Sequence, residues 1–77
     1  MAKYDVVEKP KHYNQYPVEA IDIIGWVSGK SKDGKEGYLV GTVFKYLLRY
    51  QFKNGVEDLK KANWFLNRLI KYLEDRK

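Results

Sequence analysis

The chain has no cysteine, a single histidine, one methionine and two prolines in 77 residues. The missing cysteines exclude disulfides and thiolate metal sites. One histidine and ten scattered acidic residues leave little from which to build a structural metal centre. No apolar run approaches the ~20 residues that a bilayer span needs. Polar and charged residues follow Met1, where a secretory signal would have an apolar core, so a cytoplasmic protein is expected. Neither phosphate-binding glycine pattern, G-x-x-x-x-G-K-[ST] or G-x-G-x-x-G, occurs, and there is no H-E-x-x-H pair. No Ser-His-Asp set is recognisable, so no residue can be named as catalytic.

What is present is basic and aromatic. Fifteen Lys and Arg face ten acidic residues, for a formal charge of +5, and 16% of residues are aromatic. That balance points to anionic partners: a nucleotide, a nucleic acid or an acidic protein surface. A single core in so short a chain supplies roughly 3–5 kcal/mol of net stability. With disulfides and metals set aside, self-association is the remaining route to stability.

The pattern predicts an all-α fold of three helices ending in an αα-hairpin, assembled into a symmetric helical oligomer. Residues 1–16 read as an irregular arm, followed by a helix over 17–27 with Pro17 at its first position. Residues 28–37, SGKSKDGKEG, read as a mobile loop. A second helix is expected over 38–53, with Leu39, Val43, Leu47 and Tyr50 as its apolar stripe. Asn54-Gly55 ends it. The third helix, 56–75, carries Leu59, Ala62, Leu66, Leu69, Ile70 and Leu73 in one sector, a seam that invites a partner helix.

Three constellations could carry chemistry. On the second helix Lys45, Arg49 and Lys53 fall within about 80° of one another, with Thr42 and Tyr46 beside them. A guanidinium fork, two ammonium groups, a hydroxyl and a phenol suit phosphate recognition. The same stripe would also serve as a solvated face whose long stems cover core edges. Lys11-His12-Tyr13-Asn14 offers an imidazole, a stacking ring and a base-reading amide, or simply a turn before the first helix. Glu19, Asp22, Glu57 and Asp58 are the carboxylates, with Glu57 well placed to pair with Lys61 and Asp58 to orient Lys45 or Arg49 across the hairpin. Trp26 and Trp64 lie off their helices' apolar stripes, where a tryptophan can fill a subunit interface.

These blocks stand in a recognisable order: Pro10-Lys11-His12-Tyr13-Asn14, Val18-Glu19-Ala20-Ile21-Asp22, Gly41-x-x-x-Lys45-Tyr46-Leu47-x-Arg49, and Lys53-Asn54-Gly55-x-Glu57-Asp58-Leu59-Lys60-Lys61-Ala62-x-Trp64-Phe65-Leu66. Over roughly residues 10–70 the chain resembles a family of small bacteriophage proteins, a domain of unknown function often labelled nucleotide kinase-like. The label comes from a podoviral member described as a nucleoside-monophosphate kinase without a phosphate-binding loop. The resemblance places signature positions on His12, Tyr13, Asn14, Glu19, Asp22, Lys45, Tyr46, Arg49, Lys53, Asp58, Lys61 and Trp64. Two positions depart from it: Thr42 where the family usually has asparagine, and Tyr50 where it usually has a small residue.

Three functions follow as expectations. The first is capture of a phosphorylated nucleotide without turnover, as in sequestering a host defence signal such as a cyclic dinucleotide. Its ligand residues are Lys11, His12, Tyr13, Asn14, Thr42, Lys45, Tyr46, Arg49 and Lys53, with no cofactor required. The second, implied by the resemblance, is nucleoside-monophosphate kinase activity with Mg2+ held by Asp22 or Asp58. The third is an inhibitor that binds a host protein or DNA through its basic surface.

Overall fold

The computed structural model describes residues 16–76. They form three α-helices, α1 (Ala20–Ser28), α2 (Gly34–Arg49) and α3 (Val56–Asp75), with a 3₁₀ turn at Tyr50–Phe52 between the last two. No strand occurs among the described residues. The expected Lys11, His12, Tyr13 and Asn14 cluster lies outside them.

Helix α1 starts three residues later than expected, with Glu19 in extended geometry at its N-cap. Helix α2 begins at Gly34, so the second half of the expected loop is helical. The cause is an Asp33-x-x-Glu36 cap. The Glu36 N–H donates to Asp33 Oδ1 at 2.8 Å, and Glu36 Oε1 accepts the Lys32 N–H at 3.2 Å. Once the first turn is fixed in this way, the glycines at 34 and 37 can be carried in a helix. The far end of α3 returns to the same spot, where Tyr72 and Arg76 donate to Asp33 and Arg76 also reaches Glu36. The contact pairs the start of α2 with the end of α3 and makes the hairpin antiparallel. Donation from the Glu36 N–H, then from Tyr72 and Arg76, holds the Asp33 carboxyl below its ordinary value despite some desolvation.

At the hairpin's other end α2 stops at Arg49, four residues short of the expected limit. Tyr16 donates its hydroxyl to the Leu48 carbonyl at 2.5 Å, and the Gly55 N–H reaches the Tyr50 carbonyl at 2.8 Å. Gly55 has φ +58° and ψ −128°, the one positive φ among the described residues, and there glycine is required. Beyond it α3 runs Val56–Asp75, matching the expected range.

Among the described residues the apolar core is small: Ala20, Leu39, Val43 and Ala62 are the buried hydrophobic side chains. The fully buried large side chain is a carboxylate, Asp58, at 0% exposure. It accepts Arg49 Nε and Nη2, both at 3.3 Å, the Asn54 N–H at 3.3 Å and Asn54 Nδ2 at 3.2 Å. One side chain thereby ties the end of α2, the turn and the first turn of α3 together. Burial alone would raise its pKa, but the bonds from Arg49 and Asn54 outweigh burial and leave it below 3.8.

On α3 the expected single seam divides. Asp58, Ala62, Phe65, Leu69 and Tyr72, spaced 4, 3, 4 and 3, are buried or half-buried. Leu59, Leu66 and Ile70 are instead 36%, 41% and 45% exposed. Leu47 on α2 is likewise exposed, contrary to its expected place on that helix's apolar stripe, and so is Ile21 on α1.

Four outcomes test this account. Arg49→Ala strands a buried carboxylate, which costs on the order of 3–5 kcal/mol. That is as much as a core of this size supplies, so the variant is expected to lose its helical circular dichroism. A fully helical Arg49→Ala would contradict the clamp. Gly55→Ala is expected to cost on the order of 1–3 kcal/mol in urea denaturation. Gly25→Ala, whose new Cβ meets nothing within 4 Å, should stabilise by about 0.5–1 kcal/mol. Finally, a depressed folded-state pKa means that Asp58 contributes fully above the ordinary aspartate value of 3.8. The contribution is lost as pH falls below that value through the folded pKa. Melting temperature should drop steeply there in the wild type and less steeply in Asp58→Asn.

Candidate functional site

Between α1 and α2 lies an open groove of about 370 Å³. Ile24 and Ser28 come from α1, and Gly34, Gly37, Tyr38, Gly41, Thr42 and Lys45 from α2. The glycines let the helices approach. A Cβ on Gly41 would stand 3.1 Å from Ile24 Cγ2, and one on Gly37 would stand 3.2 Å from the Ser28 carbonyl oxygen. The Tyr38 side chain is 63% exposed at the groove wall, its ring edge-on to Phe65. Thr42 donates its hydroxyl to the Tyr38 carbonyl at 2.7 Å, so its proton is committed to the backbone and only its oxygen lone pairs remain for a ligand.

Lys45 joins this groove to a second feature. Its Nζ lies 4.8 Å from the centroid of the Tyr46 ring, and Arg49 Cζ and Lys61 Nζ lie 5.0 and 5.8 Å from the same centroid. Tyr46 is stacked on Phe65, with centroids 6.0 Å apart and planes at 21°. The ring thus gathers three cations, drawn by the negative charge density of its face. They differ in commitment. Arg49 holds Asp58 in a two-pronged ion pair, and Lys61 pairs with Glu57 at 3.4 Å. Lys45 has no carboxylate partner among the described residues.

The structure therefore brings together Thr42, Lys45, Tyr46 and Arg49 but redistributes their roles. Arg49 is 15% exposed and belongs to the hairpin clamp. Lys53 follows the 3₁₀ turn with φ −140° and ψ −87°, outside any helix, so it does not continue the Lys45–Arg49 register. Asp58 cannot serve as an exposed Mg2+ ligand while both of its oxygens accept from Arg49 and Asn54. Among the described residues no three His, Cys, Asp or Glu cluster so as to hold a metal. Trp26 and Trp64 are 62% and 55% exposed, and Arg68 lies over the Trp64 ring.

Sequence reasoning missed Ser28, Gly37, Tyr38 and Gly41 as groove residues. The signal is Gly37-x-x-x-Gly41, a pair one helical turn apart that admits a neighbouring helix, masked because Gly37 ends a glycine- and serine-rich stretch that reads as a loop. The spacing of Lys61 from Glu57 predicts a surface pair. That pairing exists, yet Lys61 also reaches the Tyr46 ring, which lies on the facing helix.

No helix is long and apolar enough to cross a membrane among the described residues. No curated protein and no solved structure matches the chain. A family profile does match, over residues 7–67, which is most of the chain. The chain belongs to the DUF3310 family, whose members are described as proteins of unknown function.

Proposed function

We propose that the protein binds a phosphorylated nucleotide in the α1–α2 groove, with Lys45 meeting the phosphate. The observation that carries this reading is Lys45 itself, a half-buried lysine without a carboxylate partner among the described residues, at the edge of a groove lined by glycines and an exposed tyrosine. The Tyr38 ring offers a face or edge to a base. The Ser28 hydroxyl, which donates to the Gly25 carbonyl at 3.4 Å, can accept on the opposite wall, and the glycine-lined floor lets a flat ligand approach the backbone. Arg49 and Lys61 add positive potential behind Lys45 without being freed from their own partners.

Capture is favoured over turnover because Asp58, one of the two carboxylates that a kinase mechanism would use for Mg2+, is engaged by Arg49 and Asn54. Capture needs no cofactor. A kinase would need Mg2+ held by other residues. In a bacteriophage setting, in the cytoplasm of the host, capture would serve to sequester a host defence signal such as a cyclic dinucleotide. The protein would act as a homo-oligomer.

Calorimetric titration with mononucleotides, triphosphates and cyclic dinucleotides, with and without Mg2+, tests the reading. Binding is expected, with the nucleotide recovered unchanged. Nucleotide converted in the presence of Mg2+ would replace capture with the kinase. Silence across the panel would contradict both and leave an inhibitor of a host protein or DNA as the reading to pursue. Lys45→Gln should weaken binding by about 10–100-fold, the value of one charge-assisted hydrogen bond. Its circular dichroism should be unchanged, since Lys45 makes no ion pair among the described residues.

A further inference from the structure

Helix α3 carries a second heptad seam that the hairpin does not use. Val56, Leu59, Asn63, Leu66, Ile70 and Leu73 are spaced 3, 4, 3, 4 and 3 residues apart, the repeat of a coiled coil. It runs beside the stripe that faces α2 and is open along most of its length. Val56 is 65% exposed, Leu59 36%, Leu66 41% and Ile70 45%, and Asn63 is exposed as well. The first seam is spent on α2. The second has no occupant among the described residues, of which four are buried hydrophobic side chains.

We infer that this seam is a homodimer interface in which α3 packs antiparallel against α3 of a second copy. Three observations select that occupant. Asn63 sits at a core position of the repeat, where an amide is costly against lipid or a purely apolar groove but acts as a register pin when it finds its own copy. Pairing the seam with itself antiparallel over its full length puts Val56 opposite Leu73 and Leu59 opposite Ile70. The two-fold axis then passes between residues 63 and 66, with the two Asn63 side chains about one helical turn apart across it. The third observation is charge. Lys60 and Glu74 flank the seam on the same side at its two ends, and neither has an ion partner among the described residues. Antiparallel pairing brings Lys60 toward Glu74 of the second copy, twice by symmetry. A parallel pair would leave like ends together and match neither charge.

The seam is separate from the α1–α2 groove, so the interface stands or falls independently of the nucleotide reading. Sedimentation velocity of the full chain over a wide concentration range is expected to show a reversible or constitutive dimer. Leu66→Asp should sediment as a monomer, its association weakened at least roughly tenfold, with helical circular dichroism retained because Leu66 is not in the core. Because the chain has no cysteine, orientation can be read by cross-linking. A mixture of the Lys60→Cys and Glu74→Cys variants treated with a short bis-maleimide should form the mixed cross-link in preference to either symmetric one. A wild-type monomer at every concentration, as would follow if residues 1–15 or another protein covered the seam, overturns the inference. So does a dimer that survives Leu66→Asp. Preferred symmetric cross-links would overturn the antiparallel arrangement.

Discussion

The structure depends on one buried carboxylate. Asp58 has no exposed surface, and the helix end, turn and helix start that surround it are held by the four bonds it accepts. A buried ion pair is often a poor substitute for apolar packing. Here it is placed where a backbone must reverse over a few residues, and no apolar side chain could satisfy the Asn54 N–H and the Arg49 fork together. The position is also favoured by the dipole of α3, since Asp58 lies in that helix's first turn. With few hydrophobic side chains buried, the hairpin relies on this clamp at one end and on the Asp33, Glu36, Tyr72 and Arg76 cluster at the other.

The clamp decides what the cationic face can do. On a helical wheel Lys45, Arg49 and Lys53 look equivalent, three cations in one register. In three dimensions they are a groove lysine, a structural arginine and a lysine beyond the helix end. The difference arises because a wheel carries no information about the facing helix. Arg49 is drawn to Asp58, nine residues on, and Lys53 is displaced when α2 tightens into a 3₁₀ turn before Gly55. The chemical promise of the stripe contracts to Lys45, and the neighbouring glycines of α2 give it a groove to act in.

What was legible in the sequence was local. The limits of α3 followed from its long repeat and the Asn54-Gly55 break. The start of α2 was hidden because three glycines mask the Asp33-x-x-Glu36 cap that overrides them. The seam of α3 was visible as a run of apolar residues, but its division was not. Two heptad repeats offset around one helix overlap in sequence, and only the position of α2 shows that Ala62 and Leu69 turn inward while Leu66 and Ile70 stay outside. That division explains how so short a chain combines a modest core with an exposed apolar seam on α3.

The central claim is that the ligand surface is the groove between α1 and α2, with Lys45 at its edge, rather than the full cationic stripe. Backbone amide NMR during titration with a nucleotide monophosphate tests it most directly. The account predicts shifts that concentrate on Ser28, Gly37, Tyr38, Gly41 and Lys45 and leave Lys53 and the exposed seam of α3 unmoved. Shifts centred on Lys53, or none in the groove at saturating nucleotide, would contradict it.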